Sequence, residues 1–130
     1  MMILIDTSIW VDLLSREPNH KIPAEKLPVL ATCPPVIQEV LQGIRDHDAH
    51  REISAGLNAL TIFGSPMPLE LYESAAQIYR EGRRQGFTVK SYIDCLVAAI
   101  ALQHNLLIWH MDRDYDLIAK FRPLKVTKEI

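Results

Sequence analysis

The chain has 130 residues, 48% hydrophobic and 23% charged, with a formal net charge of −2. That balance excludes a disordered chain, and no apolar stretch approaches the roughly 20 uncharged residues of a membrane span. The charge lacks the basic surplus usual in nucleic-acid binders, although acids gathered in one pocket with bases on its rim would give the same total. One domain, residues 1–130, is expected, large enough for a core without staples. In chain order, Met2 to Ile5 is an apolar run without alternation, which predicts a strand covered on both faces. It stops at Asp6-Thr7-Ser8, and an amphipathic helix follows with Ile9, Trp10, Leu13 and Leu14 on its apolar side. Ser15 to His20 is polar and reads as a loop, and Ile22 to Leu27 as a short helical turn.

Pro28 to Cys33 predicts a second strand, and Pro34-Pro35 opens a helix to about Ile44 whose stripe is Val36, Ile37, Val40, Leu41 and Ile44. A helix over Asp46–Leu60 and a short strand at Thr61–Phe63 follow, and Gly64-Ser65-Pro66 breaks the chain. Leu69 to Gln85 is the longest helical pattern, with Glu81 assigned to its water-facing side and Gly86 closing it. Ser91 to Gln103 predicts an unusually apolar helix, and Leu106 to Trp109 a buried strand. A short helix ending near Lys120 and an extended piece at Leu124–Val126 complete the chain. Strands alternating with helices predict a three-layer α/β/α fold around a parallel sheet. Cys33 and Cys95 sit in apolar contexts and read as buried free thiols of a cytoplasmic protein.

Chemistry enters through acids at element ends. Asp6 ends the first strand, where open α/β sheets place their ligands, although a residue there also serves as a helix N-cap. Asp94 is the only charged residue from Tyr92 to Leu102. A buried carboxylate must be paired, hydrogen-bonded, metal-bound or protonated. Ser91 and Asp94 also have the spacing of a capping box, which would explain the acid without a functional role. Asp112 follows the last buried strand as Asp6 follows the first, and Asp114 and Asp116 continue the cluster. The plainer alternative has Asp114 capping the short helix and Asp112 solvated in its loop. Periodicity places Glu39 off its helix's apolar stripe, beside Gln38 and Gln42, as a surface residue. Carboxylates that meet stay ionised together only around a cation, and hard oxygen donors select Mg2+ or Mn2+. The five histidines lack the paired spacings of zinc sites, and the five glycines form no phosphate loop.

Four stretches give the chain a family resemblance: Leu4-Ile5-Asp6-Thr7-Ser8-Ile9-Trp10, Val36-Ile37-Gln38-Glu39-Val40-Leu41-Gln42-Gly43, the run from Tyr92 to Ala101 through Asp94, and Met111-Asp112-Arg113-Asp114-Tyr115-Asp116. In this order and spacing the chain resembles a PIN-domain ribonuclease of the VapC type, the toxin of a toxin–antitoxin pair. The resemblance implies that Asp6, Glu39, Asp94 and Asp112 bind a divalent metal, Mg2+ or Mn2+, for hydrolysis of RNA. It thereby assigns to Glu39 a role that periodicity does not. The family usually has Thr or Ser just before the last acidic motif, where this chain has Trp109-His110. Asp114 and Asp116 therefore stand beside Asp112 as alternatives for the fourth acid. Thr7 and Ser8 are candidates to support a carboxylate or phosphate, and Arg113, Arg80, Arg83, Arg84 and Lys90 to contact the RNA backbone. The resemblance further implies a homodimer and a cognate antitoxin laid in an apolar groove walled by the first helix near Trp10 and Leu14. The alternatives are a PIN fold without activity, acting as an RNA- or protein-binding module, and a receiver-like phospho-acceptor. The receiver would want a paired acid after the first strand, where this chain has Thr7-Ser8, and a lysine after the Ile108 strand, which this chain lacks there.

Overall fold

A computed structural model describes every residue from Met1 to Ile130. The first strand, β1 (Ile3–Ile5), lies at the centre of a five-stranded sheet and leads into α1 (Thr7–Leu13). A 3₁₀ turn over Ala24–Val29 precedes β2 (Leu30–Thr32), which is followed by α2 (Pro34–Gln42), α3 (His47–Asn58) and β3 (Thr61–Ile62). The second half holds α4 (Leu69–Arg84), α5 (Tyr92–His104), β4 (Leu107–Trp109), α6 (Arg113–Ile118) and β5 (Lys125–Thr127). The strand order is β3-β2-β1-β4-β5, and every pairing is parallel. The three-layer α/β/α fold expected from the alternation is the fold observed.

β1 is buried on both faces, which is why its sequence does not alternate. Leu4 points into the larger core with Ile108, Val36, Ile78 and the inner residues of α5. Ile3 and Ile5 point the other way, into a smaller cluster with Ile9, Leu30 and Trp109. From Cys95 to Ala101 every residue of α5 is buried, as a helix apolar all round requires. Asn105 ends it in the left-handed conformation (φ 54°), one that asparagine tolerates. Cys33 and Cys95 are free and buried, and burial pushes their thiols up to about 12 and about 11. No helix is long and apolar enough to cross a membrane.

Two local expectations need correction. Pro28 and Val29 belong to the 3₁₀ turn rather than to β2, since a proline has no N–H to give a ladder. Glu81 is half-buried, accepting from Arg122 Nε at 2.7 Å, so it joins α4 to the segment after α6 instead of facing water. The segment from Ser15 to His20 is a loop as expected, but it is folded over one carboxylate. Asp12 accepts from the backbone N–H groups of Asn19 and His20 at 3.0 and 2.9 Å and faces His20 Nδ1 at 2.8 Å. The Asn19 N–H first, then His20, holds the Asp12 carboxyl down at about 2.

Registry sets up the site. Ile5 pairs with Trp109, and the Asp6 N–H donates to the Trp109 carbonyl at 3.0 Å. Asp6 and the segment after Trp109 thus leave the same edge of the sheet side by side. This is the point where the strand order turns from β1 towards β2 on one side and β4 on the other, and a crevice opens there in parallel sheets. At the far side of α4, a Cβ on Gly82 would lie 2.9 Å from Phe121 Cζ and 3.3 Å from the Phe87 carbonyl. Gly82→Val is therefore expected to lower stability by about 1–3 kcal/mol through overpacking, read as a lower urea midpoint with an unchanged slope.

Candidate metal centre

Asp6 both caps a helix and enters the site. It caps α1 through Oδ2, which accepts from the Ser8 N–H at 3.0 Å and the Ser8 hydroxyl at 2.6 Å. Its other oxygen, Oδ1, accepts from the Tyr115 hydroxyl at 2.7 Å. The residue is 2% exposed. Ser8 Oγ also accepts from the Met111 N–H at 3.0 Å, which ties the end of β1 to the segment after β4. Thr7 donates from Oγ1 to Glu39 Oε1 at 2.8 Å. Glu39 is accordingly half-buried against the end of β1, not the free surface residue that periodicity implies. A helical wheel ranks residues by the apolar stripe and cannot register a polar partner supplied by another element.

Asp94 resolves the capping-box question. Ser91 caps α5, its hydroxyl accepting from the Asp94 N–H at 3.3 Å. The return arm of the box is taken by a different acid. Ser91 N–H donates to Asp114 Oδ2 at 3.0 Å, and Lys90 N–H to Asp114 Oδ1 at 3.2 Å. The Asp94 carboxylate is thereby left free of capping. Its Oδ1 lies 3.2 Å from the Tyr115 hydroxyl oxygen, whose single proton goes to Asp6, and its Oδ2 is buried with no partner. Burial first, then the neighbouring charge of Asp112, pushes this carboxyl up to about 9.

The last acidic motif also exchanges its expected parts. Asp112 caps α6, with Oδ1 accepting from the Asp114 N–H at 2.9 Å, and Asp114 is the buried one at 2% exposure. Asp94, Asp112 and Asp114 each offer a carboxylate oxygen within 4.8 Å of the other two. Asp116 turns elsewhere, facing His110 Nε2 at 3.4 Å and Lys128 Nζ at 3.5 Å. Arg113, Arg80, Arg83, Arg84 and Lys90 are all exposed. Three converging carboxylates, one carrying a buried oxygen without a hydrogen-bond donor, are a donor set that fits a hard divalent cation of the Mg2+ or Mn2+ kind. No histidine belongs to the group of three, so the donors are not those of a zinc site.

Two residues of the site escaped the sequence reading. Tyr115 is fully buried, and its hydroxyl faces both Asp6 and Asp94. Burial and those two carboxylates push its phenol well above the ordinary value, so it remains a donor. The available signal was chemical, since a tyrosine hydroxyl inside an apolar core must find a partner. His110 is buried too, and burial lowers its affinity for a proton. Its Nδ1 accepts from the Asp112 N–H at 3.0 Å, which leaves the proton of the neutral ring on Nε2, towards Asp116.

Residues 3–121 match the family described as PIN domain. The chain is 35% identical to a VapC ribonuclease of Mycobacterium bovis over 132 residues, covering 97% of this chain and 98% of that protein. Ribonuclease VapC11 of Mycobacterium tuberculosis matches with the same identity and coverage. The fold is similar to that of DNA-bound VapBC from Salmonella typhimurium, with a TM-score of 0.76 at 14% identity over 98% of this chain and 97% of the other.

The raised Asp94 carboxyl has a consequence for stability. The folded chain holds a proton there up to about pH 9, whereas an unfolded aspartate releases it near 3.8. Folding is therefore penalised increasingly as pH rises from about 4 towards 9. In metal-free protein, Asp94→Asn is expected to melt about 5 °C or more above the parent at pH 8. The gap should close near pH 4, and Mg2+ should raise the parent's midpoint but not the variant's, as read by thermal denaturation at each pH.

Proposed function

Since this chain belongs to the PIN-domain family, in its VapC branch, we propose that it is a metal-dependent endoribonuclease. In this reading it is the toxin of a toxin–antitoxin pair and acts in the cytoplasm. The observation that supports the reading is the unpartnered oxygen of Asp94, buried beside Asp112 and Asp114. A carboxylate whose second oxygen finds no donor in its own fold lies in a hollow where only a cation or a proton can compensate it.

Asp94, Asp112 and Asp114 would hold the ion, with Asp6 joined to them through Tyr115. When bound, Mg2+ or Mn2+ would offset charge on the scissile phosphate and lower the pKa of a water molecule. Water adds to phosphorus and the P–O bond to the leaving ribose oxygen breaks, so the protein has two tasks: orientation and charge placement. Glu39, fixed by Thr7, would complete the metal shell or orient the attacking water. Ser8 keeps Asp6 and the Met111 backbone in register. Arg113 and the exposed Arg80, Arg83, Arg84 and Lys90 would meet the RNA backbone as point charges on the rim.

The antitoxin would occupy an apolar groove of about 340 Å³ between α1, α2 and α3, lined by Val11, Leu14, Val40, Ile44 and Ile53 with Glu39 at its edge. Val11, 66% exposed, takes the place expected for Trp10, which packs inward against both cores. A groove with an acid beside it suits an amphipathic helix ending in a basic side chain. The homodimer belongs to the same reading, with a sedimenting mass of twice the chain as its expected sign.

Two outcomes are expected. Purified protein should cleave RNA with Mg2+ or Mn2+ and not with a chelator, and Asp94→Asn or Asp112→Asn should lower the rate about 100-fold or more. The cut sites would be read by mapping 5′ ends after brief expression, and RNA left intact at saturating Mg2+ would overturn the assignment. Val11→Glu with Leu14→Glu should weaken protection by the cognate antitoxin at least about 10-fold by burying a charge in the groove, measured as the antitoxin concentration that halves cleavage.

A further inference from the structure

We infer that Tyr115 is a positioning residue for the cation site, its hydroxyl fixing how the Asp6 and Asp94 carboxylates stand relative to one another. The inference rests on the metal-dependent reading above and adds to it a residue outside the carboxylate set. The hydroxyl lies 2.7 Å from Asp6 Oδ1 and 3.2 Å from Asp94 Oδ1, so one oxygen spans acids from two elements that are 88 positions apart in the chain. Each carboxylate meets it through Oδ1. The second oxygen of Asp6 is held by Ser8, while that of Asp94 has no partner. The bridge therefore determines which oxygen of Asp94 is left over for a ligand.

Packing fixes the position of the hydroxyl. Tyr115 has no exposed surface and belongs to the larger core, and the His110 ring stands edge-on to it with centroids 5.1 Å apart. His110 in turn accepts from the backbone N–H of Asp112 at 3.0 Å. The ring that sets the Asp6–Asp94 spacing thus leans on the ring that holds the Asp112 turn. Partners of this kind, which touch the ligands rather than the ion, typically govern metal affinity by about 10–100-fold.

The test is direct binding of Mn2+, read from the loss of the free-ion paramagnetic resonance signal, on the parent chain and on Tyr115→Phe. Tyr72→Phe, altered on the exposed face of α4, serves as the control. The phenylalanine keeps the ring and removes one oxygen. The expected result is a folded variant that binds Mn2+ about 10–100-fold more weakly. Its RNA cleavage should return towards the parent rate as Mg2+ is raised, while the control binds as the parent does. A variant with a lower melting temperature but unchanged Mn2+ affinity would make Tyr115 a core residue only and overturn the inference, leaving the nuclease reading intact. A parent chain that binds no Mn2+ would remove both.

A second readout needs no substitution at position 115. Adding Mg2+ to Tyr92→Phe protein, which lacks the exposed tyrosine next to the site, should perturb the near-ultraviolet spectrum of a buried tyrosine. If Mg2+ binds and the spectrum does not move, the inference fails even where Tyr115→Phe does not fold.

Discussion

Like charges cannot share a low-dielectric hollow without something to compensate them, and this molecule is built around that constraint. Asp6, Asp94, Asp112 and Asp114 arrive from the end of a strand and the starts of two helices. Most of their oxygens are compensated by polar donors: Asp6 by Ser8 and Tyr115, Asp112 by the Asp114 N–H, and Asp114 by the backbone of Lys90 and Ser91. Asp94 is the exception, with a buried oxygen that no donor reaches and a carboxyl pushed up to about 9. The fold thus satisfies three of the acids and leaves one for an outside partner. That asymmetry separates a binding site from a set of helix caps.

Capping and chemistry are not competing explanations here. Asp6 and Asp112 are N-caps in fact, each accepting from the N–H two positions on, and both stand in the acidic hollow. A helix N-terminus brings orphan N–H donors that stabilise a carboxylate as an anion. A strand-to-helix turn in a parallel sheet also puts that carboxylate at the ligand-binding edge. One aspartate can therefore stabilise its helix with one oxygen and face the crevice with the other. Ser91 and Asp94 show a different division of labour. The serine half of the box is made, and the carboxylate half is supplied by Asp114 from another element.

The sheet turns these local arrangements into one site. Parallel registry sets Ile5 against Trp109, so the residues after each strand diverge from a common edge. Tyr115 and Ser8 then join what the strands have brought together, the first through Asp6 and Asp94, the second through Asp6 and the Met111 backbone. Both cross-links involve side chains buried or half-buried in the molecule, so the geometry of the acids depends on core packing rather than on loop conformation.

The sequence by itself determined the α/β class, the order of nearly every element, the burial of β1 and α5, and the family, because these rest on short-range patterns: runs, periods, breakers and motif spacing. It also singled out Asp6, Asp94 and Asp112 by their places at element ends. Only the tertiary structure decided which acids meet. It brought Asp114 into the group of three and turned Asp116 towards His110 and Lys128. It moved Glu39 off the surface through a bond from Thr7, and made Tyr115 the link between Asp6 and Asp94. The reason is physical: a periodicity describes which side of its own element a residue occupies. The partner of a polar side chain belongs to another element, and its distance is fixed only when the sheet registers and the helices pack.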